Sequence, residues 1–280
     1  MGNALYIDKP KGMTSFDVCY KLRKVLGTKK IGHTGTLDPN ATGVMIVLYD
    51  KATKANQFLT SDNKEYECDV RLGIETDTLD IDGNIINRRE VTVPDEKKLR
   101  ETLDSFLGES AQEVPKTSAV SVDGKRLYQY QRENIEVELP KRNITVYEIE
   151  LLKMLEDGFS FRCKVSSGTY IRSLVKDICK KLDLIGTVSE LRRTKVDDVD
   201  LSMCDTLDQI LEGNYYTHDV SELLMKRYET IKYEPLSDVY NGKRIKINCD
   251  SGKVVIVKDD EAIAIYEKDG DTYRSVRGLW

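Results

Sequence analysis

The stretch Gly32-His33-Thr34-Gly35-Thr36-Leu37-Asp38-Pro39-Asn40-Ala41-Thr42-Gly43 sets one carboxylate in a loop punctuated by three glycines. An apolar run, Val44-Met45-Ile46-Val47-Leu48-Tyr49, follows directly and reads as a buried strand. A carboxylate on a constrained loop beside a rigid element is well placed for catalysis, and a carboxylate can act as a nucleophile that forms a covalent intermediate. Pro39 keeps Asp38 in an extended backbone conformation, and the glycines let a ligand approach the main chain. Residue types alone read slightly better as an Asp-Pro turn with Gly punctuation entering a strand.

Several elements must position such a loop. Ala4 to Ile7 reads as a short strand ending at Lys9-Pro10. A helix follows, capped by Thr14 or Ser15 and ended by Gly27, with Val18, Leu22, Val25 and Leu26 on one face. Ala52 to Leu59 has the look of a short helix. Glu65 to Leu72 alternates cleanly, with Tyr66, Cys68, Val70 and Leu72 on one side of a strand. Leu99, Leu103, Phe106 and Leu107 mark an amphipathic helix stopped by Gly108. Ile144 to Leu152 and Phe159 to Val165 form a hairpin around Asp157-Gly158. Ile171, Val175, Ile178 and Leu182 give a helical stripe opened by Gly168-Thr169. Strands interleaved with a few helices indicate an α+β fold with a mixed, largely antiparallel sheet. A boundary is expected between about Met225 and Pro235. Beyond it, Arg244 to Ile247, Val254 to Val257, Ala262 to Tyr266 and Tyr273 to Val276 read as short strands of a small β-rich module.

Composition narrows the chemistry. The chain has 280 residues, 32% charged and 40% hydrophobic, which suits a soluble globular protein with one large domain and a small one. No apolar run reaches membrane-span length, and no secretory signal is read at the N-terminus, so a cytoplasmic protein is expected. Six scattered cysteines without a CxxC pair, and only two histidines, argue against zinc and for free thiols. Asp80-Ile81-Asp82-Gly83 resembles a calcium loop, but Thr78 and Arg89 would fill the first and twelfth positions of an EF-hand, so the segment reads as a turn. No phosphate-binding GxxxxGK[ST] loop occurs. Neither a metal nor a cofactor is expected. The net charge of −5 is unlike a generic nucleic-acid binder. Positive charge is nevertheless local: Lys9, Lys11, Lys21, Arg23, Lys24, Lys29 and Lys30 lead into the Asp38 loop, and Arg192, Arg193 and Lys195 form a second group.

The loop string resembles the catalytic loop of the TruB family, the tRNA pseudouridine-55 synthases. Further segments match in order: Lys9 to Ser15, Lys64-Glu65-Tyr66, Leu72 to Asp80, Asp123 to Tyr128, Gly168-Thr169-Tyr170-Ile171-Arg172 and Leu191-Arg192-Arg193. The resemblance implies a pseudouridine synthase catalytic fold over residues 1–230 and a PUA-like RNA-binding domain over 231–280. It implies isomerisation of a uridine in the tRNA T-arm, without a cofactor, by a protein expected to be monomeric. Asp38 would be the nucleophile and Arg172 the guanidinium that orients it. Tyr66 would stack on the extruded base and could assist proton transfer, and Leu191 would be an apolar wall. His33 would help to occupy the space that the base leaves. Lys9 would be a structural or RNA contact, while Lys29, Lys30 and Arg192 would meet RNA. Where the family commonly carries an aromatic residue and a lysine, this chain has Thr117 and Ser121, and Ile46 and Asp50 replace a common Pro and Gly. These departures bear on the expected RNA contacts.

Overall fold

The computed structural model describes residues 3–133 and 135–280. Contacts divide the chain into two compact units, one of residues up to Pro39, Val44–Ser61 and Leu201–Trp280, the other of Asn40–Gly43 and Asp62–Asp200.

In the first unit, β1 (Asn3–Lys9) is the sheet neighbour of β3 (Thr42–Tyr49), whose hydrophobic run from Val44 to Leu48 is buried. Helix α1 (Ser15–Leu26) lies between them in sequence and buries Ser15, Val18, Cys19 and Leu22. Its start is fixed by a capping box, in which Thr14 accepts from the Asp17 amide and Asp17 accepts from the Thr14 amide. Gly27 closes it at φ 63°, the left-handed conformation that glycine adopts without penalty. Strand β2 (Ile31–His33) then pairs antiparallel with β3. The short helix read at Ala52 to Leu59 is the 3₁₀ helix Asp50–Phe58. Its side chains compete for its own carbonyls, Thr53 Oγ1 donating to the Asp50 carbonyl at 2.7 Å.

The second unit is a mixed sheet. Strand β4 (Asn63–Leu72) is followed by α2 (Glu96–Asp104), the edge strand β5 (Gly108–Glu113), β6 (Lys141–Leu155), β7 (Gly158–Ser166), α3 (Ile171–Lys181) and β8 (Gly186–Val196). The order is β8-β4-β7-β6-β5 with every neighbour antiparallel. Thr42 and Gly43 add the parallel contact, pairing with Arg192 and Arg193 of β8. Gly43 must be glycine here. Its φ is 105°, and a Cβ would sit 2.1 Å from the Arg193 carbonyl oxygen. Along β4 the expected alternation holds: Tyr66, Cys68, Val70 and Leu72 are buried while Glu67 and Arg71 are exposed. Phe106 and Leu107, read as helical, lie past the end of α2 at Asp104. All six cysteines are free thiols, and burial pushes Cys68 well above and Cys179 up to about 12.

Residues 201–280 count with the first unit. Strands β9 (Glu229–Lys232), β10 (Lys253–Lys258), β11 (Glu261–Asp269) and β12 (Thr272–Gly278) form a separate four-stranded sheet. Val239, Ile245, Val254, Ile256, Tyr266 and Tyr273 are among its core. Arg244 to Ile247, read as a strand, makes only the single bridge Ile245 to Tyr273. Arg244, at its start, and Lys243, just before it, pair with Asp269 and Asp238.

Lys64 sits on the buried face of β4, and burial first, then the charge of Arg193, depress its ammonium to about 8, against the pull of Asp197. The folded state therefore binds fewer protons than the unfolded chain between about pH 8 and the ordinary lysine value of 10.5, and stability from this group rises across that window. Lys64→Met is expected to raise the melting temperature at pH 7 by a few degrees, about 2–4 °C per kcal/mol recovered. The gain should shrink between pH 8 and 10 in calorimetric scans. A gain that is flat with pH would mean that Lys64 is not the titrating group.

Candidate active site

Asp38 has no regular secondary structure around it, yet both neighbours are fastened. On one side, buried Leu37 donates its amide to Ser15 Oγ at 2.8 Å and receives the hydroxyl on its carbonyl at 3.1 Å. On the other, the Pro39 carbonyl accepts from the Gly12 amide at 2.9 Å and from Lys9 Nζ at 3.2 Å. Lys9 is 0% exposed, and its ammonium also meets the carbonyls of Pro10 at 2.8 Å and Met13 at 2.6 Å. A buried ammonium is tolerated only when such acceptors surround it. Lys9 is thus a strap of the loop, and the RNA contact expected of it is closed to a side chain with no exposed surface. Asp38 itself is half-buried between these fixed points, and His33 is half-buried at the end of β2, opposite Val47.

In the second unit, Tyr66 and Leu191 share one face of the sheet. Tyr66 stands opposite Arg193, and Leu191 opposite Cys68. Tyr66 is 7% exposed and Leu191 8%. Arg192 pairs with Glu67, whose side chain lies on the other face, and its Nη1 donates to Thr42 Oγ1 at 3.1 Å. Arg193 is 1% exposed, so the second basic group of the sequence is not one surface patch. Lys29 and Lys30 are exposed in the segment between α1 and β2.

Arg172 lies in the first turn of α3 and is buried, at 5% exposure. Its Nη1 donates to the Thr78 carbonyl at 2.9 Å and to Thr117 Oγ1, and its Nη2 to the Thr117 carbonyl at 3.1 Å. The helix start is itself anchored. Buried Gln112 accepts from the Tyr170 amide at 2.8 Å and donates to its carbonyl at 3.1 Å, and Ser173 Oγ donates to the Glu113 carbonyl at 2.8 Å. The planar fork of an arginine can satisfy several fixed acceptors at once and stay in one orientation.

Three residues of this framework escaped the sequence reading. Thr117 was read as a departure bearing on RNA contacts; it holds Arg172. Gln112 carries no signal beyond being an amide next to a proline-containing turn. Asp80 does turn the chain, accepting the Gly83 amide on its carbonyl at 2.9 Å, but its carboxylate also accepts from Asn40 Nδ2 at 2.9 Å. Among the described residues, no group of three or more His, Cys, Asp or Glu side chains could hold a metal ion, and no helix is long and apolar enough to cross a membrane.

The sequence pattern of the TruB family pseudouridylate synthase N-terminal domain matches residues 23–171. The chain belongs to the TruB family. The pattern of the tRNA pseudouridylate synthase B C-terminal domain follows at residues 172–228. A tRNA pseudouridine synthase B of Alkaliphilus oremlandii is 46% identical over 259 residues, covering 89% of this chain and 84% of that protein. One of Caldanaerobacter subterraneus subsp. tengcongensis is 42% identical over 245 residues, covering 86% and 85%. The crystal structure of a Cbf5-Nop10-Gar1 complex contains a chain similar to this one, with a TM-score of 0.75 at 25% identity, covering 99% of this chain and 85% of that one. The chain is accordingly a pseudouridine synthase of mixed-sheet α+β fold.

The Thr117 contact has a direct test. Thr117→Val keeps the branched shape and the backbone carbonyl but removes one acceptor from a buried guanidinium. Single-turnover pseudouridine formation is expected to fall roughly tenfold, the scale of one buried donor left unsatisfied, and Thr117→Ser to restore it. An undiminished rate in the valine variant would leave the Thr117 hydroxyl no part in holding Arg172.

Proposed function

We propose that the chain converts a uridine in the T-loop of tRNA, position 55, to pseudouridine, with Asp38 as nucleophile on a flipped-out nucleotide. The observation that carries this reading is the fastening of Leu37 and Pro39 on both sides of Asp38, which fixes a carboxylate on an otherwise irregular loop. The relatives named tRNA pseudouridine synthase B match it over most of their length and support tRNA as the substrate.

The reaction breaks the bond from N1 to C1′, turns the base, joins C5 to C1′, and releases the C5 proton while N1 gains one. It calls for a nucleophile, control of proton transfer and a pocket that retains the detached uracil. Asp38 supplies the nucleophile. Arg172 orients it, because a planar guanidinium fork can hold a carboxylate in one direction. Tyr66 stacks on the extruded base and serves proton transfer, and Leu191 walls the pocket. His33 occupies the space that the base vacates. Lys29, Lys30 and Arg192 meet phosphates, so recognition rests on backbone shape more than on base edges. The C-terminal module, residues 231–280, is a PUA-like RNA-binding domain, and the protein works as a cytoplasmic monomer without a cofactor.

Release of tritium from 5-tritiated uridine in unmodified tRNA, followed by mapping of the modified position, tests the activity. Binding without release would point to a non-catalytic RNA-binding protein on the same scaffold. Asp38→Asn keeps the size of the side chain and is expected to abolish release while tRNA binding survives; wild-type release from it would remove Asp38 as nucleophile. Arg172→Lys keeps the charge but not the fork. Its single-turnover rate at saturating tRNA should fall by at least tenfold, well beyond any loss of affinity. Normal chemistry in that variant would exclude Arg172 as the orienting partner.

A further inference from the structure

Helix α1 presents a second feature beside its buried face. Phe16 and Tyr20 are 62% and 63% exposed, one turn apart on the outer side. The guanidinium carbon of Arg23 lies 5.6 Å from the Phe16 ring centroid and 5.3 Å from that of Tyr20. Two large aromatic rings open to solvent form a patch that folding alone does not call for, since the helix already has its apolar face in Val18, Cys19 and Leu22. Lysines are frequent on its helix and in the segments flanking it. Lys11, Lys21, Lys24, Lys29 and Lys30 are all exposed, in a chain whose net charge is −5. The one carboxylate of the helix, Asp17, is committed to the capping box with Thr14. The helix is also tied to the Asp38 loop, because Ser15, the residue before Phe16, makes both hydrogen bonds to Leu37.

We propose that the Phe16–Tyr20–Arg23 stripe is a stacking platform for unpaired nucleobases of the RNA substrate, with these lysines on the adjoining phosphates. The inference rests on the RNA-modifying reading above and adds to it a subsite outside the Asp38 loop. Charge complementarity selects the occupant. Aromatic faces flanked by one sign of charge suit a polyanion with π-faces, and every base offers such a face whatever its identity. An arginine already stacked on the rings adds a cationic plane to the same surface. An apolar protein partner would gain nothing from five exposed lysines on this helix and the segments flanking it. The helix is about 18 Å long at 1.5 Å per residue, and the stripe from Phe16 to Arg23 covers about 12 Å of it, room for one or two bases. Such a platform favours RNA whose bases are splayed out over RNA that is fully paired.

The test separates stacking from charge. Phe16→Ala with Tyr20→Ala, in the full chain, is expected to weaken the Kd for unmodified tRNA by about tenfold or more. The slope of log affinity against log salt should stay as in the wild type, because no phosphate contact is lost. Lys29→Ala with Lys30→Ala is expected to do the reverse and make that slope shallower by up to about 2. Leucine at both aromatic positions keeps apolar bulk without a π-face and should bind as weakly as alanine. Wild-type Kd in the alanine variant overturns the platform, and so does full recovery by leucine. Sedimentation that shows self-association of the wild type, lost in the alanine variant while tRNA affinity holds, would assign the stripe to a second copy of the chain. Tritium release by the wild type is measured alongside, so that failure of the platform is distinguishable from failure of the underlying reading.

Discussion

A buried ammonium governs the architecture around Asp38. Lys9 closes β1 with its charge wholly inside, where only a cage of carbonyls makes it tolerable. Those carbonyls belong to Pro10, Met13 and Pro39, and the Gly12 amide ties the same Pro39 carbonyl to that turn. Satisfying one cation therefore fixes the turn leading into α1 and the exit from the Asp38 loop at the same time. Ser15, at the start of α1, completes the arrangement on the entry side through Leu37. A loop without secondary structure acquires the definition of a rigid element by borrowing it from a strand end and a helix start.

The second unit uses the same device with other groups. Arg172 is a buried cation whose acceptors are the Thr78 carbonyl and both oxygens of Thr117. Gln112 pins the peptide of Tyr170, the residue just before α3, so that the helix start and its guanidinium are placed together. On the sheet, a third buried cation, Arg193, faces Tyr66, and its charge is felt by Lys64 on the same face. Burial of cations is costly, and here it recurs beside the side chains that the proposed chemistry needs. Part of the stability of the sheet is given up to hold that geometry.

Much of this was legible in the sequence where one physical rule acts alone. The alternation of β4 is a half-buried strand and nothing else, and its inward face came out residue by residue. The α1 boundaries followed from Thr14 or Ser15 and from Gly27, which are chemical signals for helix ends, and the structure gives Thr14 the cap. The order of motifs was enough for the family. Illegible were the places where two rules compete. Strand β8 buries Arg193 among its apolar positions and slips its register between Val188 and Glu190, so neither hydrophobicity nor period two marks it. Thr117 and Gln112 act through partners more than fifty residues away, which no local pattern encodes. Burial of Lys9 could not be read either, because a lysine next to a proline is nearly always a surface residue.

Strand β5 shows one more consequence of its composition. Gly-Glu-Ser-Ala-Gln-Glu, residues 108–113, holds no β-branched or aromatic side chain, and all but Gln112 are exposed. Intrinsic preference gives such a segment little reason to be a strand. It is one because β6 offers it a complete ladder from Lys141 to Val146. It is the last strand on its side of the sheet, with no further strand laddered to its outer edge. A charged, weakly β-forming edge is a poor template for a passing chain, so the letters that hide the strand from prediction also guard the molecule against growing into an aggregate.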